Sequence, residues 1–271
     1  MTRQLIGAIL PGSGDRGEAT VSSLLRGYGL RFVARTLTAM GDRATDQLTP
    51  ASTVALLRDV EGGVEVCMLR RPNRSSFAAD AFVFPGGAVD SGDGTGDSAY
   101  RMAGVREVLE EVGILIGFPA PGSGDDALEE RIALTRAEVL AGSDFAETLA
   151  AHDLVVTPEL LVYVGHFITP PREGRRYDTR FFALPVSDRQ EVHVHAAEAV
   201  EGGWHRPESM LSLTMPAIMP PTRMLCHEFA RLGSAHAIVD TLGAHPIEVT
   251  TITPEIIATW LALEHERPAP S

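Results

Sequence analysis

Cysteine is scarce in this sequence. Only Cys67 and Cys226 occur among 271 residues, too far apart for a CxxC pair or a zinc-binding spacing. That excludes a disulfide framework and a structural zinc knot, and the two read as reduced thiols of a cytoplasmic protein. Long apolar runs are missing too. "LIGAIL" offers six apolar residues before Pro11 and Gly12, too few for a signal-peptide core, and no run reaches the eighteen that a membrane span requires. The expectation is a chain neither secreted by an evident signal nor embedded in a membrane. Positive charge is in the minority, 23 Lys+Arg against 36 Asp+Glu, for a net charge of -13. No global positive field exists to hold nucleic acid or an anionic membrane, so a phosphorylated ligand must be met by local arginines or by metal ions. Nor do the chemical motifs of other classes occur. "GDGTGD" lacks the Gly-Lys-Ser/Thr of a phosphate loop and the twelfth-position glutamate of a calcium loop, and Ser75, Ser76 and Ser91 have no nucleophile-elbow context.

What is present is an ordinary globular composition, 44% hydrophobic and 22% charged, in a chain long enough for one large domain or two small ones. Residues 1–48 mix glycine, arginine and threonine, with a short helix predicted from Val21 to Ala39, and read as an N-terminal extension. "TVALLRDV" and "VEVCMLRR", joined by a glycine turn, predict a β-hairpin. A further apolar run, "AFVF", ends in "PGG" at Pro85–Gly87. A helix from about Ser98 to Val112 follows, closed by Gly113, and then a helical stretch over "DDALEERIALTRAEVLAGSDFAETLAAH". Strands are predicted again over "ELLVYVGHFITP", "RYDTRFFALPV" and "EVHVHAAEAVEGGW". From residue 214 onward the pattern turns helical, which divides the chain into 1–48, 49–213 and 214–271.

The segment "REVLEEVGI", Arg106–Ile114, carries the chemistry. Glu107, Glu110 and Glu111 fall on one helical face, where each like-charged pair costs roughly 0.2–0.5 kcal/mol on a bare helix. A bound cation removes that repulsion. Three carboxylates converging from one rigid element suit a hard divalent ion such as Mg²⁺, which takes a few carboxylates plus water and phosphate oxygens. Arg106 is placed to brace a glutamate or meet a phosphate, and Gly86 and Gly87 let the backbone approach a ligand closely. A solvated acidic helix face is the plain alternative. Yet the full Arg-Glu-apolar-any-Glu-Glu-any-Gly-apolar pattern should arise by chance in roughly one chain in ten thousand or fewer.

"FPGGAVDSGD" followed by "REVLEEVGI" resembles the signature of the Nudix hydrolases: Gly, five residues, Glu, seven residues, then the helical pattern above. The helical half matches throughout. The loop half departs, with Asp93 in place of the glutamate and twelve residues rather than seven before Arg106, which leaves Asp93 as an uncertain loop carboxylate. The resemblance implies an α/β/α sandwich on a mixed β-sheet, here with a helical insert after the Nudix helix and a helical C-terminal region. It also implies Mg²⁺ or Mn²⁺ and hydrolysis of a nucleoside diphosphate linked to another group. Carried over by position, Glu110 and Glu111 would be principal metal ligands, Glu107 a further ligand or a base, and Arg106 their orienting residue. Glu198 and Glu201, ahead of Trp204, are candidates for a further loop carboxylate or else polar groups at a strand end.

"LRRPNRSSFAADAFVFPGGAVDSGD", the helical insert, "ITPPREGRRYDTRFF" and "MPPT" are similar to one Nudix branch, the peroxisomal coenzyme A diphosphatases and their bacterial relatives. That branch implies cleavage of coenzyme A or acyl-CoA into 3′,5′-ADP and a 4′-phosphopantetheine product. Arg70, Arg71 and Arg74 are then candidates for the 3′-phosphate, or exposed strand-end charges. Arg172, Arg175, Arg176 and Arg180 are candidates for other phosphates, or partners of Asp178 and Glu173. Two other readings stay open: another nucleotide conjugate (ADP-ribose, NADH or a diadenosine polyphosphate), and a non-catalytic nucleotide-sensing or partner-binding module. The complete carboxylate set argues against the last. "HVH" at His193–His195 would place two rings on one strand face as a metal pair, without a third ligand nearby in sequence. The C-terminal helical region is open to use as a homodimer surface or as a lid.

Overall fold

The computed structural model describes residues 48–73, 79–170, 175–214 and 217–258. The helix expected at Val21–Ala39 lies outside them, as do Arg74, Arg172 and Glu173. Two alternating apolar segments, β1 (Thr49–Val60) and β2 (Gly63–Arg70), pair antiparallel across a Glu61–Gly62 turn. Gly62 sits at φ 78°, in the left-handed region where a side chain would be strained. Short strands β3 (Phe82–Val83) and β4 (Gly86–Ala88) follow, and β4 lies antiparallel along the first half of β1. A 3₁₀ turn at Ser91–Asp93 leads into helix α1 (Gly96–Val112). After it come β5 (Gly117–Pro119), α2 (Leu128–Leu140), α3 (Phe145–Ala151) and β6 (Leu154–Val156). β5 and β6 form a separate two-stranded sheet beneath the helical insert.

The main sheet then continues through β7 (Val162–Ile168), β8 (Tyr177–Pro185) and β9 (Glu201–His205). Helices α4 (Pro207–Leu211), α5 (Pro220–Leu232) and α6 (Ala235–Gly243) precede the last strand, β10 (Val249–Thr251). Its order is β10-β7-β8-β1-β2-β3, with β4 added to β1 and β9 to β2. β1 runs parallel to β8 and β10 parallel to β7, while the other pairs are antiparallel, so the sheet is mixed.

Alternation along β1 shows why both faces are covered. Val54 and Leu56 pack under α1 with Val105, Val108 and Val112, whereas Ala55 and Leu57 face Phe229 of α5 and Ile238 of α6. A strand buried on both sides reads as the near-continuous run "VALL". Each large apolar side chain buried in this way contributes about 1.5–3 kcal/mol. The result is an α/β/α sandwich, with α1 on one face, the C-terminal helices on the other, and β10 joined to the sheet edge.

Two expectations are corrected. "EVHVHAAEAVEGGW" is a strand only from Glu201; residues 191–200 are irregular. The reason lies at the end of α1. His193 N–H donates to Val112 O and His195 N–H to Glu111 O, both at 2.9 Å, so this backbone satisfies orphan helix carbonyls rather than a sheet ladder. Without a strand, the shared face proposed for His193 and His195 disappears, and no cluster of three or more metal-type ligands includes them among the described residues. The second correction concerns the twelve residues between Asp93 and Arg106. They do not form a longer loop, because only Gly94 and Thr95 separate the 3₁₀ turn from α1.

Candidate functional site

α1 is buried along most of its surface, and Gly104 lets it sit close to the sheet. A Cβ there would come within 2.8 Å of Ser52 Oγ and 2.9 Å of Val54 Cγ2. Pressed against β1 and β4, the helix brings Glu107 over Gly87 and Glu111 beside Gly86. Gly86 N–H donates to Glu111 Oε2 at 2.8 Å. At Gly87 the fit is tighter still, since a Cβ would lie 2.4 Å from Glu107 Oε1. The two glycines thus have separate roles, one holding a carboxylate through its amide and the other leaving room for one.

Arg106 ties the rest together. Its Nε and Nη2 donate to the two oxygens of buried Asp93, each at 3.0 Å, in a bidentate pair. Nη2 also reaches Ala88 O at 2.9 Å. Nη1 donates to Glu107 Oε1 at 2.9 Å and to Glu110 Oε1 at 3.3 Å. Asp93, the uncertain loop carboxylate of the sequence, therefore stands as the anchor of Arg106. Burial disfavours the Arg106 charge, yet the Asp93 hydrogen bonds and the charges of Glu107, Asp93 and Glu110 outweigh it and raise its pKa.

One guanidinium does not balance these carboxylates. Burial, only partly offset by Arg106 and reinforced by Glu110, pushes the Glu107 carboxyl up to about 7. Glu110 is raised by burial as well. Glu111 lies well above the usual carboxylate range through burial first, then the Glu107 charge, with Gly86 N–H acting in the opposite direction. Buried carboxylates that resist ionisation are an oxygen donor set that a hard cation would stabilise. Among the described residues no three such groups close into a finished cage. An ion held here would complete its shell with water and substrate oxygens, as Mg²⁺ commonly does.

The other candidate residues divide. Glu198 is exposed but near enough to Glu111 to raise its pKa, and Arg71 near enough to lower it. Glu201 instead faces Arg70 across the β2–β9 pair at 3.5 Å, and Arg70 also pairs with Asp80 at 2.9 Å. Arg176 Nε donates to Thr169 O at 3.2 Å, at the β7–β8 end. Arg180 lies in one register row with Ser52 and Gly87, two strands away and so roughly 10 Å from the glutamates' floor. Its guanidinium stacks 3.9 Å over the Tyr100 ring and pairs with exposed Asp97 at 2.8 Å. The sequence holds no lysine, so its 23 basic residues are all planar, bidentate guanidiniums.

Arg136 escaped the sequence reading. It reaches from α2 to the C-terminus of α1, where Nε and Nη2 donate to Glu110 O at 3.0 and 2.9 Å and Nη2 to Glu111 O at 3.2 Å. A cation at a helix C-terminus is stabilising, and this one fixes the turn that bears two of the glutamates. No motif surrounds Arg136, and only its long-range contact reveals it.

No family model matches the chain. A protein carrying the name nudix hydrolase 7 in Caenorhabditis elegans is 27% identical over 173 residues, 62% of this chain and 55% of that protein. The human acyl-coenzyme A diphosphatase NUDT19 is 33% identical over 161 residues, 53% of this chain and 41% of that protein. The chain thus spans about half the length of these curated relatives. The crystal structure of a NUDIX hydrolase from Alicyclobacillus acidocaldarius superposes with a TM-score of 0.64 at 26% identity, covering 75% of this chain and all of that one. The glutamate helix, the mixed sheet that carries it and these three likenesses make the chain similar to the Nudix hydrolases in fold and in its site helix.

Proposed function

We propose that the chain is a metal-dependent diphosphatase that cleaves coenzyme A or acyl-CoA into 3′,5′-ADP and a 4′-phosphopantetheine product. The observation that carries the chemistry is the set of three glutamates on one helix, two of them bonded to one arginine and the third to the Gly86 amide, and together short of positive charge. Similarity to acyl-CoA diphosphatases supports the substrate class. Glu107, Glu110 and Glu111 would hold Mg²⁺ or Mn²⁺, which when bound neutralises the diphosphate charge and activates water.

The chain's own residues supply the positioning. Asp93 fixes Arg106, Arg106 orients Glu107 and Glu110, and Gly86 N–H orients Glu111. Glu198, whose charge acts on Glu111, is the loop carboxylate we assign to take a proton from the attacking water. Glu201 is the weaker candidate for that role, because it already faces Arg70. Gly86 and Gly87 form the floor under the Glu111 and Glu107 carboxylates, over which the diphosphate would rest. Arg70, Arg176 and Arg180 are the outlying cations for further phosphate groups, with Arg70 and Arg180 now held by the exposed carboxylates of Asp80 and Asp97, which a phosphate would displace at little cost. The free, buried thiols of Cys67 and Cys226 fit a cytoplasmic setting for the activity, and among the described residues no helix is long and apolar enough to cross a membrane.

The test is Glu110→Gln, assayed with acyl-CoA across a Mg²⁺ and Mn²⁺ titration. Turnover should fall by at least about a hundredfold with the melting temperature retained. Full turnover in the variant, or wild-type turnover independent of metal, would overturn the assignment.

A further inference from the structure

An open groove of about 1100 Å³ lies between α2, the β5 segment and residues 190–195. Its lining includes the apolar side chains of Ile114, Leu115, Leu128 and Ile132, and Phe118 stands in it 40% exposed. Its exposed rim is acidic, from Asp125, Asp126, Glu129 and Glu191, and the guanidinium in its lining, Arg136, is engaged with the Glu110 and Glu111 carbonyls. Such a rim repels phosphates and carboxylates, so the anionic end of a nucleotide conjugate does not belong here. One end of the groove is the end of the glutamate helix itself. Gly113 and Ile114 line it, Arg136 lines it while bonding the Glu110 and Glu111 carbonyls, and His195 lines it while its N–H bonds Glu111 O. His195 also keeps Nδ1 buried without a hydrogen-bond partner among the described residues, an orphan that a ligand amide would satisfy.

The groove therefore suits an occupant without negative charge, apolar at one end and with a hydrogen-bonding group for His195 Nδ1 near the end of α1. We infer that the groove receives the acylated pantetheine arm of the substrate, while the diphosphate sits on the glutamate face. The inference rests on the acyl-CoA reading proposed above and deepens it: the helical insert sets acyl-chain preference. Arg136 then acts as a positioning residue shared by the groove and the two glutamates whose carbonyls it holds.

Ala137 lines the groove on the exposed side of α2, so Ala137→Trp fills the space without entering the core. Phe118→Ser removes apolar lining, and Leu134→Trp adds the same bulk to α2 at an exposed position outside the lining, as a control. The assay is kcat/KM over free CoA, acetyl-CoA, octanoyl-CoA and palmitoyl-CoA, alongside calorimetric binding of octanoyl-pantetheine, which has no diphosphate. In the wild type and in Leu134→Trp, octanoyl-CoA should exceed free CoA by about tenfold or more, through KM, as expected for burying a few methylenes. Ala137→Trp and Phe118→Ser should shrink that ratio to about twofold, and Ala137→Trp should abolish octanoyl-pantetheine binding. If octanoyl-pantetheine binds and Ala137→Trp abolishes it while no CoA compound is cleaved, the groove stands and the substrate reading falls. If CoA compounds are cleaved with no dependence on chain length, or with the same dependence in Ala137→Trp, the groove assignment is overturned. It is likewise overturned if Ala137→Trp converts a dimer to a monomer and leaves the chain-length ratio intact, which would make this face a contact between two copies.

Discussion

Adding a single methyl group at Gly87 should separate function from stability. A Cβ at this position would stand 2.4 Å from Glu107 Oε1, 2.6 Å from its Cδ and 2.8 Å from Oε2, whereas ordinary van der Waals contact begins at 3.4 Å. The carboxylate must therefore retreat by about 1 Å. All three nearest atoms belong to the far end of one flexible side chain and none to the backbone, so Gly87→Ala should cost less than about 1 kcal/mol of stability. Function is a different matter, because the retreat breaks the 2.9 Å bond from Arg106 Nη1 and moves a metal-binding oxygen. A displacement of that size in a reacting site costs about a hundredfold in rate. Gly86→Ala is the contrasting variant. Its Cβ would meet Ser52 O at 2.3 Å and Thr53 Cα at 2.7 Å, both backbone atoms, at φ 157°. That clash should cost on the order of 3 kcal/mol and appear as a lowered melting temperature. Kinetics and thermal melts of the two variants side by side decide the matter. Gly87→Ala with kcat/KM near that of wild type, or a loss of melting temperature equal to that of Gly86→Ala, would refute the reasoning.

Three further outcomes follow from the same geometry. Asp93→Ala leaves the buried Arg106 guanidinium without its bidentate partner, and should cost about 3–5 kcal/mol in chemical denaturation, with Asp93→Asn intermediate; a loss below 1 kcal/mol would contradict the anchor role. Metal-free protein should lose stability as pH rises from about 4.5 to about 7, because Glu107 binds its proton more tightly folded than unfolded. The shift from the ordinary 4.5 to about 7 corresponds to about 3 kcal/mol; thermal melts should show the slope disappear with Mg²⁺ and shrink in Glu107→Gln, and an identical slope in the variant would count against it. Arg136→Met removes a charged donor from the carbonyls of Glu110 and Glu111, and should lower stability by about 1.5–3 kcal/mol by denaturant titration; an unchanged midpoint would remove Arg136 from the account.

The parts legible in the sequence are those fixed by short-range spacing. The hairpin showed because a glycine turn separates two apolar runs, and the site helix because its glutamates recur at helical intervals before a left-handed Gly113. Asp93 was visible as a candidate but not as the partner of Arg106, because that pairing depends on residues 88–93 lying alongside α1. Residues 191–195 carry strand-like alternation that tertiary structure overrides, since their amides are taken by the helix end. Tyr100 beneath Arg180 and Arg136 at the α1 terminus join residues 80 and 26 positions apart or so, contacts that no local pattern encodes. The division between the glutamate face and the apolar groove belongs to the same class, because the groove exists only where α2, β5 and residues 190–195 meet.

The most direct test of the account is mass spectrometry of the products formed with Mg²⁺ or Mn²⁺ from CoA, acetyl-CoA, ADP-ribose, NADH and a diadenosine polyphosphate. The account predicts 3′,5′-ADP and the matching 4′-phosphopantetheine product from the CoA compounds ahead of any other product. AMP released from ADP-ribose or NADH, with the CoA compounds left intact, would contradict it.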